Sequence, residues 1–119
     1  MAEGFLTTHV LDTARGHPAA GLEIALYRLE NGGRRELARM VTNADGRTDS
    51  PILPHEDFAP GRYELIFEAG AYLDRMGTPP EDPRFLDDIC IRFGISDGGA
   101  HYHVPLLLSP FGYSTYRGS

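Results

Sequence analysis

Fourteen glycines and nine prolines are spread over 119 residues. Punctuation at that density leaves little room for long helices and favours short strands joined by turns. The stretches between the breakers carry the matching pattern. In RYELIFE, residues 62–68, Tyr63, Leu65 and Phe67 alternate with Glu64, Ile66 and Glu68, which is the period of a strand with one face in a core. In LEIALYRL, residues 22–29, Leu22, Ile24, Leu26 and Arg28 alternate with Glu23, Ala25, Tyr27 and Leu29. Residues 5–12 contain β-branched types and read as a first strand, ended by the turn-prone ARGHPAAG.

Asn31-Gly32-Gly33 turns the chain so that residues 35–43 return as a hairpin partner, and Asp45-Gly46 marks another turn. Further strands are expected at residues 52–53, 89–95, 101–108 and 113–116. Residues 69–76 form the one plausible helix, closed by Gly77 with Pro79 soon after. Pro105, inside the apolar strand HYHVPLLL, cannot donate to a ladder, so an edge strand or a bulge is expected there. An edge must be covered, and pairing with another subunit is one way to do it. The chain therefore reads as a single domain, residues 1–119, of all-β class: a β-sandwich with one short helix.

Composition narrows the chemistry. A net charge of −6 argues against a nucleic-acid or anionic-membrane partner, which would need a basic stripe. All 11 basic residues are arginine, which excludes Schiff-base chemistry and a P-loop lysine. The single cysteine, Cys90, excludes an intrachain disulfide and a thiolate-rich zinc site. In DDICIRFGI it reads as a small apolar filler on a strand, with a nucleophilic thiol as the minor alternative. The opening MAEGFLTTHV shows no basic segment followed by an apolar core, and no stretch reaches the length of a membrane span, so a cytoplasmic location is expected.

The sequence contains no G-x-S-x-G, H-E-x-x-H, C-x-x-C or glycine-rich phosphate loop. What remains is a set of histidines, one notable arginine and a closing stretch, HYHVPLLLSPFGYSTYRGS, dense in polar and reactive groups. His101 and His103 are two apart on a strand and project from one face. That spacing suits two metal ligands, but nothing nominates a third, and a solvated polar face is the first reading of the pair. His9 lies on the first strand between Thr8 and Val10, where a structural role is the ordinary one. Arg47 follows the Asp45-Gly46 turn and is either solvated or aimed at a flat ligand rich in carbonyl oxygens. Tyr116, Arg117 and Ser119 read either as a polar tail or as part of a site, while His17 and His55 sit beside prolines and take no role.

Taken in order, LTTHVLDTARGHPA, TNADGRT, GRYELIF and the closing HYHVPLLLSPFGYSTYRGS resemble the 5-hydroxyisourate hydrolases, the transthyretin-related enzymes of urate degradation. The closing Tyr116-Arg117-Gly118-Ser119 is the most specific element, because hormone-carrying transthyretins lack it. The resemblance implies a transthyretin-like β-sandwich of two four-stranded sheets. It also implies a homotetramer whose active sites lie in clefts at the dimer–dimer interface. The implied reaction is hydrolysis of 5-hydroxyisourate to 2-oxo-4-hydroxy-4-carboxy-5-ureidoimidazoline, with no cofactor and no metal. His9, Arg47, His103 and Ser119 carry over as catalytic residues, and His9, Arg47, Tyr116, Arg117 and Gly118 as substrate-binding ones. His101 belongs to the same motif as a neighbour, and either His9 or His103 can be the general base. The rival reading is a transthyretin-like carrier that binds an aromatic ligand without chemistry. A purely structural sandwich leaves the clustered histidines unexplained.

Overall fold

The computed structural model describes residues 3–118. Eight strands and one helix follow in chain order: β1 (Phe5–Asp12), β2 (His17–Pro18), β3 (Glu23–Glu30), β4 (Gly33–Val41), β5 (Gly61–Glu68), α1 (Ala69–Arg75), β6 (Asp88–Ile95), β7 (His101–Ser109) and β8 (Gly112–Thr115). They form two four-stranded sheets, ordered β2-β1-β7-β8 and β4-β3-β5-β6. The two-sheet sandwich with one helix is thus the observed architecture.

The period of two read from the sequence builds the core. From the first sheet Leu6, Val10, Tyr102, Val104, Leu106 and Leu108 point inward, and from the second Ile24, Leu26, Tyr63, Leu65, Phe67, Ile89 and Ile91 meet them. The large side chains of Tyr63 and Phe67 are fully enclosed. The β3–β4 hairpin closes through Asn31 and Gly32, both at positive φ (50° and 76°), the backbone of the turn whose twist matches that of antiparallel strands. Between Leu26 and Tyr27 the register shifts, and Leu37 is the extra residue on β4, a bulge that bends this edge strand.

Polar groups inside are paired. The Tyr72 hydroxyl of α1 donates to Asp12 Oδ2 at 2.8 Å and so ties the helix to the end of β1. Burial, with the carboxylate beside it, pushes the Tyr72 phenol up to about 12. Thr42 Oγ1 accepts from the Leu22 amide at 2.9 Å and donates to the Ala19 carbonyl at 2.6 Å. On the outer face of the second sheet Glu64 takes Arg34 at 2.8 Å and Arg92 at 3.0 Å.

Four expectations need correction. Pro105 is not on an edge strand, since β7 lies between β1 and β8. Its carbonyl accepts from Thr115 Oγ1 at 2.8 Å, so its nitrogen faces the β8 side too, and there the ladder begins only at Leu106↔Thr115. The missing N–H falls one position outside the pairing. Cys90 lies on β6 but is exposed, because Ile89 and Ile91 take the inward positions on either side of it. His17 and Pro18, inside the stretch read as a turn, pair with Asp12 and Leu11 as β2. Residues 52–53 form no strand, and Leu53 makes only an isolated bridge with Leu6.

Candidate active site

The outer face of the first sheet is where the histidines gather. β1 runs parallel to β7 in a register that sets Phe5 beside His101, Thr7 beside His103 and His9 beside Pro105. Leu6, Thr8 and Val10 are buried on the other face of β1, and Tyr102 and Val104 on that of β7. Alternation therefore leaves Thr7, His9, His101 and His103 on one surface, all half-buried. The His9 and His103 ring centroids lie 6.5 Å apart, and those of His101 and His103 lie 6.1 Å apart.

Each imidazole is held from behind. Thr7 Oγ1 lies 2.7 Å from His101 Nε2 and 2.8 Å from His103 Nδ1. His101 also stacks on Phe5, with centroids 4.1 Å apart and planes at 8°. His9 Nε2 lies 2.9 Å from the carbonyl oxygen of Asp45. A carbonyl only accepts, so this nitrogen carries the hydrogen and the neutral ring keeps its lone pair on Nδ1.

Arg47 is brought to His9 by a tightly bonded loop. Asn43 Oδ1 accepts from the Asp45 amide at 2.9 Å and the Arg47 amide at 3.2 Å. The Asn43 amide donates to the Arg47 carbonyl at 2.8 Å, and the Val10 amide donates to the Gly46 carbonyl at 2.8 Å. Arg47 thereby forms an isolated bridge with His9. Gly46 makes the approach possible. Its φ is +76°, and a Cβ there would sit 2.3 Å from the Val10 carbonyl oxygen. Among the described residues no carboxylate pairs with the Arg47 guanidinium, which stays exposed at the cleft.

Thr7, Arg47, Thr48, Asp49, His101 and His103 line a cleft of about 380 Å³. Partial burial holds the His103 imidazole below the usual histidine range, and the nearby Arg47, His101 and His9 push it further the same way. The ring is consequently neutral at pH 7, a base with a free lone pair. A larger depression of about 600 Å³ opens at the β4 edge between Arg28, Arg35, Met40, Ile52 and Tyr63, but its cations are already engaged. Arg28 donates to Tyr63 Oη at 2.7 Å, and Arg35 pairs with Glu30 at 2.9 Å.

The closing residues divide between two places. The Gly118 amide donates to the His103 carbonyl at 2.7 Å, so the chain end returns to β7 beside the cleft. Arg117 turns the other way, its guanidinium carbon 3.9 Å from the ring centre of Tyr102, a residue on the core side of β7. Tyr116 and Arg117 share a separate groove with Ile91, Phe93 and Val104 at the open edge between the sheets. Ser119 lies outside the described residues. Within one protomer, then, His9, Arg47, His103 and Gly118 converge, and Tyr116 and Arg117 do not join them. Sequence reading passed over Thr7 and Asn43. Thr7 was findable, since in LTTHV it shares the face of His9, but only the pairing with β7 shows what it touches.

The Transthyretin family model, described as HIUase/Transthyretin family, matches residues 6–118. A protein of Mesorhizobium japonicum named 5-hydroxyisourate hydrolase is 60% identical over 98% of this chain and 93% of its own length. One of Pseudomonas aeruginosa with the same name is 53% identical over 98% and 92%. Among solved structures, Klebsiella pneumoniae 5-hydroxyisourate hydrolase superposes with a TM-score of 0.80 at 37% identity, covering 98% of this chain and 99% of that one. Sea bream transthyretin in complex with thyroxine gives 0.85 at 30% identity, covering 95% and 93%. An (S)-allantoin synthase structure gives 0.92 at 46% identity, covering 99% of this chain and 44% of that one. With a match that spans nearly every residue and relatives this similar over their whole length, the chain belongs to the HIUase/Transthyretin family.

Proposed function

We propose that this protein is a 5-hydroxyisourate hydrolase of urate degradation, opening the six-membered ring to give 2-oxo-4-hydroxy-4-carboxy-5-ureidoimidazoline. The observation that carries the reading is the convergence of His9, His103 and Arg47 on one face of the first sheet. Full-length relatives that bear this enzyme's name support it.

Hydrolysis of a ring amide asks for three things: a base for water, a cation for the oxyanion, and a proton for the departing nitrogen. His103, held neutral and bonded to Thr7 through Nδ1, leaves Nε2 to take the proton of the attacking water. The water oxygen bonds to the ring carbonyl carbon, Arg47 faces the oxygen that gains charge, and the carbon–nitrogen bond then breaks as the nitrogen is protonated. His9 shares the acid–base work, and no metal is required for these steps. General acid–base catalysis of this kind contributes roughly 10²- to 10⁴-fold, and one well-placed oxyanion donor roughly 10²- to 10³-fold. Gly118, Tyr116, Arg117 and Ser119 complete the substrate contacts in this reading, with Tyr116 and Arg117 contributing across a subunit boundary.

The same reading includes a homotetramer with its sites in clefts at the dimer–dimer interface. Half-buried Leu11 and Leu107 lie side by side on the outer face of the first sheet, next to the histidines, and their burial against a second copy would cover that surface. The test follows the ultraviolet absorbance of freshly generated 5-hydroxyisourate with wild type, His9→Ala, Arg47→Ala and His103→Ala, alongside the mass in solution by light scattering. Near-wild-type rates in all three variants would overturn the site.

The carrier reading has one observation in its favour, the likeness to a transthyretin bound to thyroxine. Two imidazoles and an exposed guanidinium on that face weigh against it. Saturable thyroxine binding without any acceleration of 5-hydroxyisourate decay would reverse that judgement.

A further inference from the structure

We propose that the Thr7 hydroxyl links His103 to His101 as a single proton-transfer unit, with His101 as the group that holds the proton between the two halves of the reaction. The inference rests on the hydrolase reading for its catalytic part, while its tautomer part stands on geometry alone.

The geometry is one oxygen between two ring nitrogens, Thr7 Oγ1 at 2.7 Å from His101 Nε2 and 2.8 Å from His103 Nδ1. A hydroxyl has a single hydrogen, so it donates to one nitrogen and accepts from the other. With both rings neutral, the nitrogen that donates to Thr7 must be protonated and the nitrogen that receives must be bare. The tautomers of the two residues are thus locked together: both rings carry their hydrogen on Nδ1, or both carry it on Nε2. In one arrangement His103 Nδ1–H donates to Thr7 and Thr7 donates to His101 Nε2, which leaves His103 Nε2 as a base. In the other the bonds run in reverse, and His103 Nε2–H becomes an acid.

Reversing the direction of these two hydrogen bonds, with one proton added to the pair, is the proton movement that hydrolysis needs. His103 Nε2 takes a proton from the attacking water. Its Nδ1 proton then moves to Thr7 Oγ1, and the Thr7 proton moves to His101 Nε2. His103 is now neutral with its proton on Nε2, and His101 is the imidazolium. When His103 gives the Nε2 proton to the leaving nitrogen, the two other protons step back, and both rings return to their starting state. No charge or atom is left over. The Phe5 ring stacked on His101 at 4.1 Å offers its π face to that transient cation. Arg47 and Asp49 are the other charged groups lining the cleft, and His9 lies beside His103 with ring centroids 6.5 Å apart. Arg47 and His9 disfavour a lasting charge on His103, and a cation passed to His101 sits one ring further along the sheet.

The test uses the full chain with Thr7→Val, an isostere that keeps the β-branch the strand needs, together with Thr7→Ser and His101→Phe, which keeps a ring against Phe5. Loss of the relay is expected to lower kcat by about 10- to 100-fold, a part of the acid–base contribution, with KM within about threefold. Thr7→Ser is expected to restore kcat. The Thr7→Val/His101→Phe double variant is expected to lose no more than either single one, because both break the same chain. Nitrogen-15 spectra of the histidine rings are expected to show the same tautomer for His101 and His103 in wild type and unmatched ones in Thr7→Val. Unchanged kcat in Thr7→Val, no rescue by serine, or additive losses in the double variant would overturn the relay. If wild type does not hydrolyse 5-hydroxyisourate, the hydrolase reading and the catalytic relay fall together. The ring spectra then decide the tautomer lock alone, and unlocked tautomers in wild type would overturn it.

Discussion

The Gly118 amide donates to the His103 carbonyl at 2.7 Å, and the two residues are so close that a Cβ on Gly118 would lie 2.6 Å from His103 Cδ2. Glycine is needed here for space and not for an unusual φ. Gly118→Ala is expected to displace the imidazole and cut kcat by ten- to a hundred-fold, since misplacement by about 1 Å can cost about 10²-fold. The melting temperature is expected to stay within about 2 °C, because the change lies at the chain's edge. Initial rates and a thermal melt check both parts.

A different glycine acts through the backbone. Gly46→Ala places a side chain at φ +76° and 2.3 Å from the Val10 carbonyl oxygen, so about 1–3 kcal/mol of strain is expected, with Arg47 moved off its bridge to His9. Denaturant unfolding should show the loss, and the hydrolysis rate should fall further than the stability change alone explains. Wild-type stability in this variant would contradict the loop geometry.

The depressed pKa of His103 fixes the sign of a pH effect. The unfolded ring takes its proton near 6.5, while the folded one, partly buried and facing Arg47, resists it to lower pH. Between those two values the unfolded chain holds the extra proton, so stability is present above 6.5 and is lost as pH falls through the folded value. The kcat/KM profile should show an acid limb below the ordinary histidine value. Arg47→Leu removes one of the causes, so the His103 NMR titration should move upward; a downward move would contradict the assignment.

Away from the cleft, Tyr72→Phe removes the hydroxyl that donates to buried Asp12 Oδ2 at 2.8 Å. Leaving that carboxylate short of a donor costs about 1–3 kcal/mol, and the hydrolysis rate below the melting point should not change. In wild type the phenol's raised value adds an alkaline counterpart. Stability that is full below about 10 should fall as pH rises toward about 12.

The second sheet was the most legible part of the chain. Alternation in residues 22–29 and 62–68 marked its inward side chains correctly, and Asn31-Gly32 set its hairpin, because those signals are local. The strand His17–Pro18 escaped notice, since two residues beside a proline carry no period and pair only because β1 is there to receive them. The same limit misplaced Cys90. Its apolar neighbours suggested a buried position, but the facing sheet packs against Ile89 and Ile91 and turns Cys90 outward.

At the site, sequence alone nominated His9, Arg47, His101, His103 and the Tyr-Arg-Gly-Ser end, and put His101 and His103 on one face by spacing. It also determined the all-β class, the short helix and the turns that frame them, all of which follow from contacts between near neighbours along the chain. What only the tertiary structure decided is which of these groups meet. The parallel register of β1 on β7 sets Thr7 against His103, 96 residues away, and the segment past β8 carries Arg117 to Tyr102 instead of to the histidines. That register is chosen by burial of two whole sheet faces against each other, a sum over the core that no short stretch of sequence contains.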